Sequence, residues 1–191
     1  MSLLVLNPLK KKHRIKVYDG FNRANNAASL GNADTGQLWS ALSGIWGITG
    51  NTAYVSTSSG GRDVSVIDSG SCNGIAKIVL PIVASFTNPR LILRASDVQN
   101  YLMVSTASSN TAYSLFRVVA NVATQIGTYT TTPVNGDEVK TILNGTSIQV
   151  FINGLLRISV TESFNQTATK FGIGTAANDP TSRFDNFYMG V

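Results

Sequence analysis

At 191 residues and 43% hydrophobic, the chain has material for one domain with a sizeable core and too little for two. Charged residues are 13%, about half the usual roughly 25%, and Ser, Thr, Asn and Gly fill the polar remainder, as in an all-β domain with many turns. Apolar runs of only a few residues exclude a membrane-spanning helix, and a single cysteine, Cys72, excludes an internal disulfide framework.

The net charge of +5 suggests nucleic acid until it is located. Lys10, Lys11, Lys12, Arg14 and Lys16 fall within seven residues, and the remaining 10 basic residues balance 10 acidic ones. The charge therefore belongs to an N-terminal arm, residues 1–17, and not to a groove. No aromatic interleaves with it before Tyr18, so stacking on nucleic acid is not expected. The start, MSLLVLNPLKKK, makes a poor secretory signal because its charges follow the short apolar run. A solvated arm and a docking arm both fit the charge. Leu3, Leu4, Val5 and Leu6 favour docking, buried on a neighbour as an added strand, with Lys10, Lys11, Lys12 and Arg14 along its surface. The one histidine, His13, also sits in the arm. No Cys/His cluster exists for zinc, and a Ser-His-Asp triad would have to draw its base from there.

Both tryptophans follow, in LWSALSGIWGITGN (38–51). Gly44 separates two short strands, LWSAL and IWGIT, as a turn would. The large apolar area of Trp46 makes burial its default. Trp39, next to the polar NADTGQ loop, either packs at an edge or stays an exposed contact. From here the chain reads as strands cut by turns: TAYVST, DVSVID, GIAKIVLPIVAS, RLILRAS, NYLMVST, AYSLFRVVA, ATQIGTY, EVKTIL, SIQVFI, LLRISV, TKFGIG and RFDNFYM. Asn-Gly recurs at 73–74, 135–136, 144–145 and 153–154. No stretch holds helical spacing beyond about two turns, and strands at this spacing make a sandwich or barrel.

The last Asn-Gly allows two hairpin registers. A two-residue turn at Asn153-Gly154 pairs Ile152 with Leu155 and puts Ile148 and Val150 on the face of Arg157 and Ser159. A three-residue loop, Ile152-Asn153-Gly154, instead opposes Val150 to Leu156 and Ile148 to Ile158. It gathers Ile148, Val150, Leu156, Ile158 and Val160 on one face, with Arg157 outward. Because a one-residue slip turns the whole apolar set outward, the second register is expected.

The segments RLILRASDVQNYLMVST, YSLFRVVANVATQIGTY, GDEVKTILNGTSIQVFINGLLRISVTES and FGIGTAANDPTSRFDNFYM resemble successive strands of a concanavalin A-like (laminin-G-like) jelly roll. The opening DGFNRANNAASLGNADTGQLWSALSGIWGITGNTAYVS is similar to the first strands of such domains in bacteriophage tail and other virion proteins. The resemblance covers residues 18–191. It implies two curved antiparallel sheets packed face to face, with the first and last strands close together. It also implies an interior place for the tryptophan after the Gly44 turn. Members of the family include lectins, glycan-binding modules, glycoside hydrolases and structural domains.

The hydrolases of this fold carry Glu-x-Asp-x-Glu on one strand, and the chain lacks it. Its only glutamates are Glu138 and Glu162. Asp137 and Glu138 are adjacent, and Asp63 and Asp68 are five apart, so each pair points to opposite faces of a regular strand. Two carboxylates roughly 5–10 Å apart on one surface are what hydrolysis needs, and no enzyme is expected. Asp19 and Asp185 lie on the two segments that the fold brings together, with Asn22, Asn186 and Asp179 nearby. They read either as calcium ligands or as acids bonded to backbone. No other cofactor is expected. SSGGRD and FGIGTA lack the strand-to-helix context of a phosphate loop and read as turns.

These readings imply a non-enzymatic virion component: a minor tail, fibre or decoration protein, assembled in the host cytoplasm. It would be a homo-oligomer, fixed to other virion subunits by its arm and offered to a host-surface glycan, with neither nucleic acid nor membrane as partner. The alternatives are a stand-alone carbohydrate-binding module and a glycoside hydrolase with cross-strand carboxylates.

Overall fold

The computed structural model describes residues 14–83, 88–107 and 109–191. Among them the chain forms only strands: β1 (Ile15–Asp19), β2 (Ser40–Ser43), β3 (Ile45–Thr49), β4 (Thr52–Thr57), β5 (Asp63–Asp68), β6 (Gly74–Ile82), β7 (Arg90–Asp97) and β8 (Asn100–Thr106). They continue as β9 (Ala112–Val119), β10 (Val122–Thr130), β11 (Asp137–Asn144), β12 (Ser147–Ile152), β13 (Leu155–Thr161), β14 (Lys170–Thr175) and β15 (Arg183–Gly190). One sheet runs β13-β12-β11-β6-β15-β4-β3, with β1 also on β15, and the other runs β10-β9-β8-β7-β14-β5-β2. The two antiparallel sheets stack as a jelly-roll sandwich, the architecture expected from the sequence.

Alternation explains the stacking. In β11 and β12 every second residue is buried, so Val139, Leu143, Ile148 and Val150 reach the interior. They meet Leu93, Val104, Leu115, Phe171 and Phe184 there, in one core between the sheets. Pro81 interrupts no ladder to β11, whose last pair with β6 is Asp137 with Leu80. It sits instead at an irregularity of the β6–β15 register.

The first strand begins earlier than the composition suggests. Val17 pairs with Met189 and is fully buried, and Arg14 and Val191 exchange both backbone hydrogen bonds. Residues 14–17, assigned to the arm from their charge, thus extend the sandwich sheet. First and last strands are neighbours, as the resemblance implies. Leu3, Leu4, Val5, Leu6, Lys10, Lys11 and Lys12 lie outside the described residues.

The last hairpin departs from expectation. Asn153 and Gly154 both take positive φ, 50° and 80°, which is the two-residue turn geometry that pairs Ile152 with Leu155. A bulge then restores the apolar set. Phe151 opposes Leu156 but Val150 opposes Ile158, leaving Arg157 as the extra residue. Ile148, Val150 and Ile158 are buried, whereas Leu156 is 48% exposed. The expected facing of Val150 and Leu156 is therefore corrected. Arg157 points outward as expected and covers the ring of Tyr129 on β10 at 4.5 Å. There the sheets close, and Gly127 permits it: a Cβ at this position would stand 2.5 Å from the Ile158 side chain.

Candidate functional site

The predicted calcium residues are brought together. Asp19 lies on β1 and Asp185 on β15, and the negative charge of Asp19 reaches Asp185. Their chemistry is not that of a cation site. Asp19 is fully buried, and its Oδ1 accepts from the Phe21 N–H (2.8 Å) and Arg23 Nη1 (2.7 Å). Its Oδ2 accepts from Arg23 Nη2 (2.8 Å) and the Trp39 indole N–H (2.7 Å). A metal would have to displace a guanidinium fork. Arg23 is also anchored through Nε and Nη2 to the Leu30 carbonyl, and its pKa is raised, chiefly by the bond to Asp19. Asp185 accepts from the backbone and side chain of Asn186, and Asp179 caps Thr181 and Ser182. The expected calcium pair is thus corrected to structural acids, the second of the two readings.

The same network settles the tryptophans. Trp39 is buried and holds Asp19, with Phe187 edge-on at 5.1 Å. Trp46 is 1% exposed, packs against Phe184 and donates to the Ser43 carbonyl. Both are core residues, and each borders a cleft of about 210 Å3 beside Leu30 and Ala41.

A more promising surface is the outer face of the seven-stranded sheet. Registers align its side chains in rows: Arg90, Ser105 and Ser114 in one, Ile92, Met103, Phe116 and Gln125 in the next, Tyr101, Val118 and Ala123 in a third. Beside Arg90 and Ile92, β14 contributes only Gly174 and Gly172 to this face, with Lys170 further along, so the floor drops beside Arg90. Apolar residues here are buried, Val64, Ile92, Tyr101 and Val118 to 0% exposure, although no third layer of described strands covers them. Curvature accounts for it. Arg62, just before β5, donates to the carbonyl and side-chain oxygens of Asn121 in the β9–β10 turn, at 2.7 and 2.6 Å. Those strands stand four spacings of about 4.8 Å apart in the sheet, more than an arginine reaches across a flat surface. The sheet curls, and Arg62 ties its sides together.

The result is a groove of about 320 Å3, lined by Arg62, Asn88, Arg90, Ser105, Ser114 and Gln125 around Met103, Phe116 and Ala123. Arg90 is 7% exposed and donates through Nη1 to the Thr175 carbonyl. Burial lowers its pKa to about 10, with the nearby Tyr101, Asp179 and Asp63 opposing the fall, so it is charged at neutral pH. Burial likewise raises the Tyr101 hydroxyl. The sequence did not single out these residues, because the signal is spread over four strands and the loop residues Arg62 and Asn88. Arg90, opening the strand RLILRAS ahead of three apolar residues, was its only local mark.

The carboxylates weighed for hydrolysis lie elsewhere. Glu138 pairs with Lys77 (3.1 Å) and Glu162 with Arg117 (3.4 Å). Asp137 is buried under Tyr113 and Asn153, and Asp63 under the Ser59 backbone and hydroxyl. Asp68 is exposed at the other end of β5. None of them lines the groove.

The chain's sequence matches no family model and no curated protein. Its fold does have solved counterparts. The carbohydrate binding module CBM66 from Bacillus subtilis superposes with a TM-score of 0.62 at 18% identity, covering 78% of this chain and 92% of that one. LamAcat from Zobellia galactanivorans gives 0.58 at 10% identity, with 93% and 96% covered. Domain 4 of AbnA, a GH43 extracellular arabinanase from Geobacillus stearothermophilus solved with arabinotriose, gives 0.56 at 12%, with 93% of each covered. At such identities the likeness establishes a concanavalin-like jelly-roll fold and leaves function to the site.

Proposed function

We propose that this chain is a carbohydrate-binding module and that the groove on its seven-stranded sheet is the binding surface. The observation that carries the reading is the mixed floor: Phe116 and Met103 offer an apolar patch, ringed by Asn88, Ser105, Ser114 and Gln125. A sugar ring presents the matching chemistry, C–H faces beside hydroxyls, and a few polar groups around an apolar floor fix its orientation. That structures named for a carbohydrate binding module and an arabinotriose complex share the fold supports this choice. The test is a glycan array followed by calorimetry with Phe116→Ala. Binding should weaken roughly tenfold or more, the equivalent of about 1.4 kcal/mol, while the melting curve stays cooperative. Unchanged affinity would move the site elsewhere.

The groove also favours binding over hydrolysis, since no Asp or Glu lines it among the described residues. Release of reducing ends from a bound polysaccharide would overturn that choice. Placement on a bacteriophage particle rests on the resemblance of residues 18–191 to virion domains, and an adhesion module there would use the same groove. Immunogold labelling of intact particles tests it.

A further inference from the structure

We infer that the groove is built for an acidic glycan, whose carboxylate or sulfate ester seats against Arg90 with Arg62 beside it; this rests on the carbohydrate reading above. The floor holds a charge that the protein leaves incompletely matched. Arg90 Nε is buried without a hydrogen-bond partner. Burying an unmatched charged donor is costly, and such a donor beside open space is explained if a ligand completes it. Neither Arg90 nor Arg62 forms a salt bridge among the described residues. Two carboxylates face Arg90 from adjoining segments, Asp63 and Asp179, and offset part of its charge. Asp179 is held by Thr181 and Ser182 and Asp63 through Oδ1 by Ser59; Asp63 Oδ2 is buried without a hydrogen-bond partner, yet it makes no bond to Arg90, and neither carboxylate lines the groove. The groove is therefore cationic on two sides. A guanidinium edge matches the two oxygens of a carboxylate or sulfate in a way that a sugar hydroxyl does not. Ser105 and Ser114 line the groove nearby, with their hydroxyls bonded to the Thr106 carbonyl and to Thr128 Oγ1.

The test uses the full chain against oligosaccharides bearing uronate or sialate carboxylates and others bearing sulfate esters. Each is paired with its carboxyl-reduced or desulfated counterpart. At least one acidic member should bind tenfold or more tightly than its neutral partner, and the carboxylate and sulfate arms identify the anion. Arg62→Ala, at a partly exposed site, removes a charge together with the tie to Asn121, so it should weaken the acidic member more than its neutral partner in a domain that still melts cooperatively. Arg90→Lys should lower the acidic preference further, by keeping the charge and losing the fork. If acidic and neutral partners bind equally, and Phe116→Ala weakens both, the anion inference falls and the carbohydrate reading stands. If no member binds, both fall.

Discussion

Four donors converge on Asp19, and two of them belong to Arg23. Removing Arg23 leaves a fully buried carboxylate half-solvated by protein. Arg23→Ala should therefore cost about 3 kcal/mol, at the low end for a broken buried pair because the Arg23 side chain is itself 26% exposed. For a chain of this size that is a fall of roughly 6–12 °C in melting temperature. A change within two degrees would show that the pair is only decorative. Asp185 behaves in the opposite sense. Burial, with the Asp19 charge nearby, raises its pKa, while the Asn186 backbone N–H opposes the rise. The folded state thus prefers it protonated, and stability is lost as pH rises from the ordinary carboxylate range through the raised folded value. Asp185→Asn should be neutral to stabilising at pH 7 and without effect near pH 3, where both states are protonated. Melts of the two proteins at the two pH values check this, and adding calcium or chelator should shift neither. A calcium-dependent rise abolished by Asp185→Asn would restore the metal reading.

Along β12 and β13 the sequence holds two conflicting instructions. Asn153-Gly154 prefers the two-residue turn, and the spacing of Ile148, Val150, Ile158 and Val160 requires a different register. The chain obeys both by bulging at Arg157. Ile158→Ala should cost about 2–5 kcal/mol, as for other buried aliphatics, and the exposed Leu156→Ala roughly 0.5. Equal costs would put the bulge elsewhere. Gly127→Val belongs to the same corner. Its side chain would drive into Ile158, and a loss of roughly 1–3 kcal/mol is expected from overpacking. This corner shows what the sequence can and cannot convey. Strand positions were legible because alternation and Asn-Gly turns are local signals, so TAYVST, DVSVID, NYLMVST and SIQVFI coincide with β4, β5, β8 and β12. The bulge was not, because neither of two regular registers contains it. The start of β1 was not, because Lys16 and its basic neighbours masked the inward Val17.

Groove and core follow from one property of the whole molecule, a sheet that curls while its partner caps the inner face. The groove was illegible in the sequence for that reason: Arg62, Arg90 and Phe116 belong to segments far apart in the chain, and only curvature makes them neighbours. Closure of the other sheet depends on β15, which lies between β6 on one side and both β1 and β4 on the other. β4 meets it near Phe184 and β1 from Phe187 to Gly190, so one strand edge is shared end to end. Losing β1 exposes half of that edge and removes Val17 and Asp19 from the interior. Burial of Val17 alone contributes about 1.5–3 kcal/mol, and without Asp19 the donors of Arg23 and Trp39 lose their acceptor. A chain starting at Gly20 should therefore melt at least 10 °C below one starting at Arg14, by the scaling of roughly 2–4 °C per kcal/mol. An unpaired edge also offers itself to a second chain, so the shorter protein should self-associate more strongly in sedimentation runs. Equal melting temperatures for the two starts would mean that β1 only lies on the sandwich and does not help to close it.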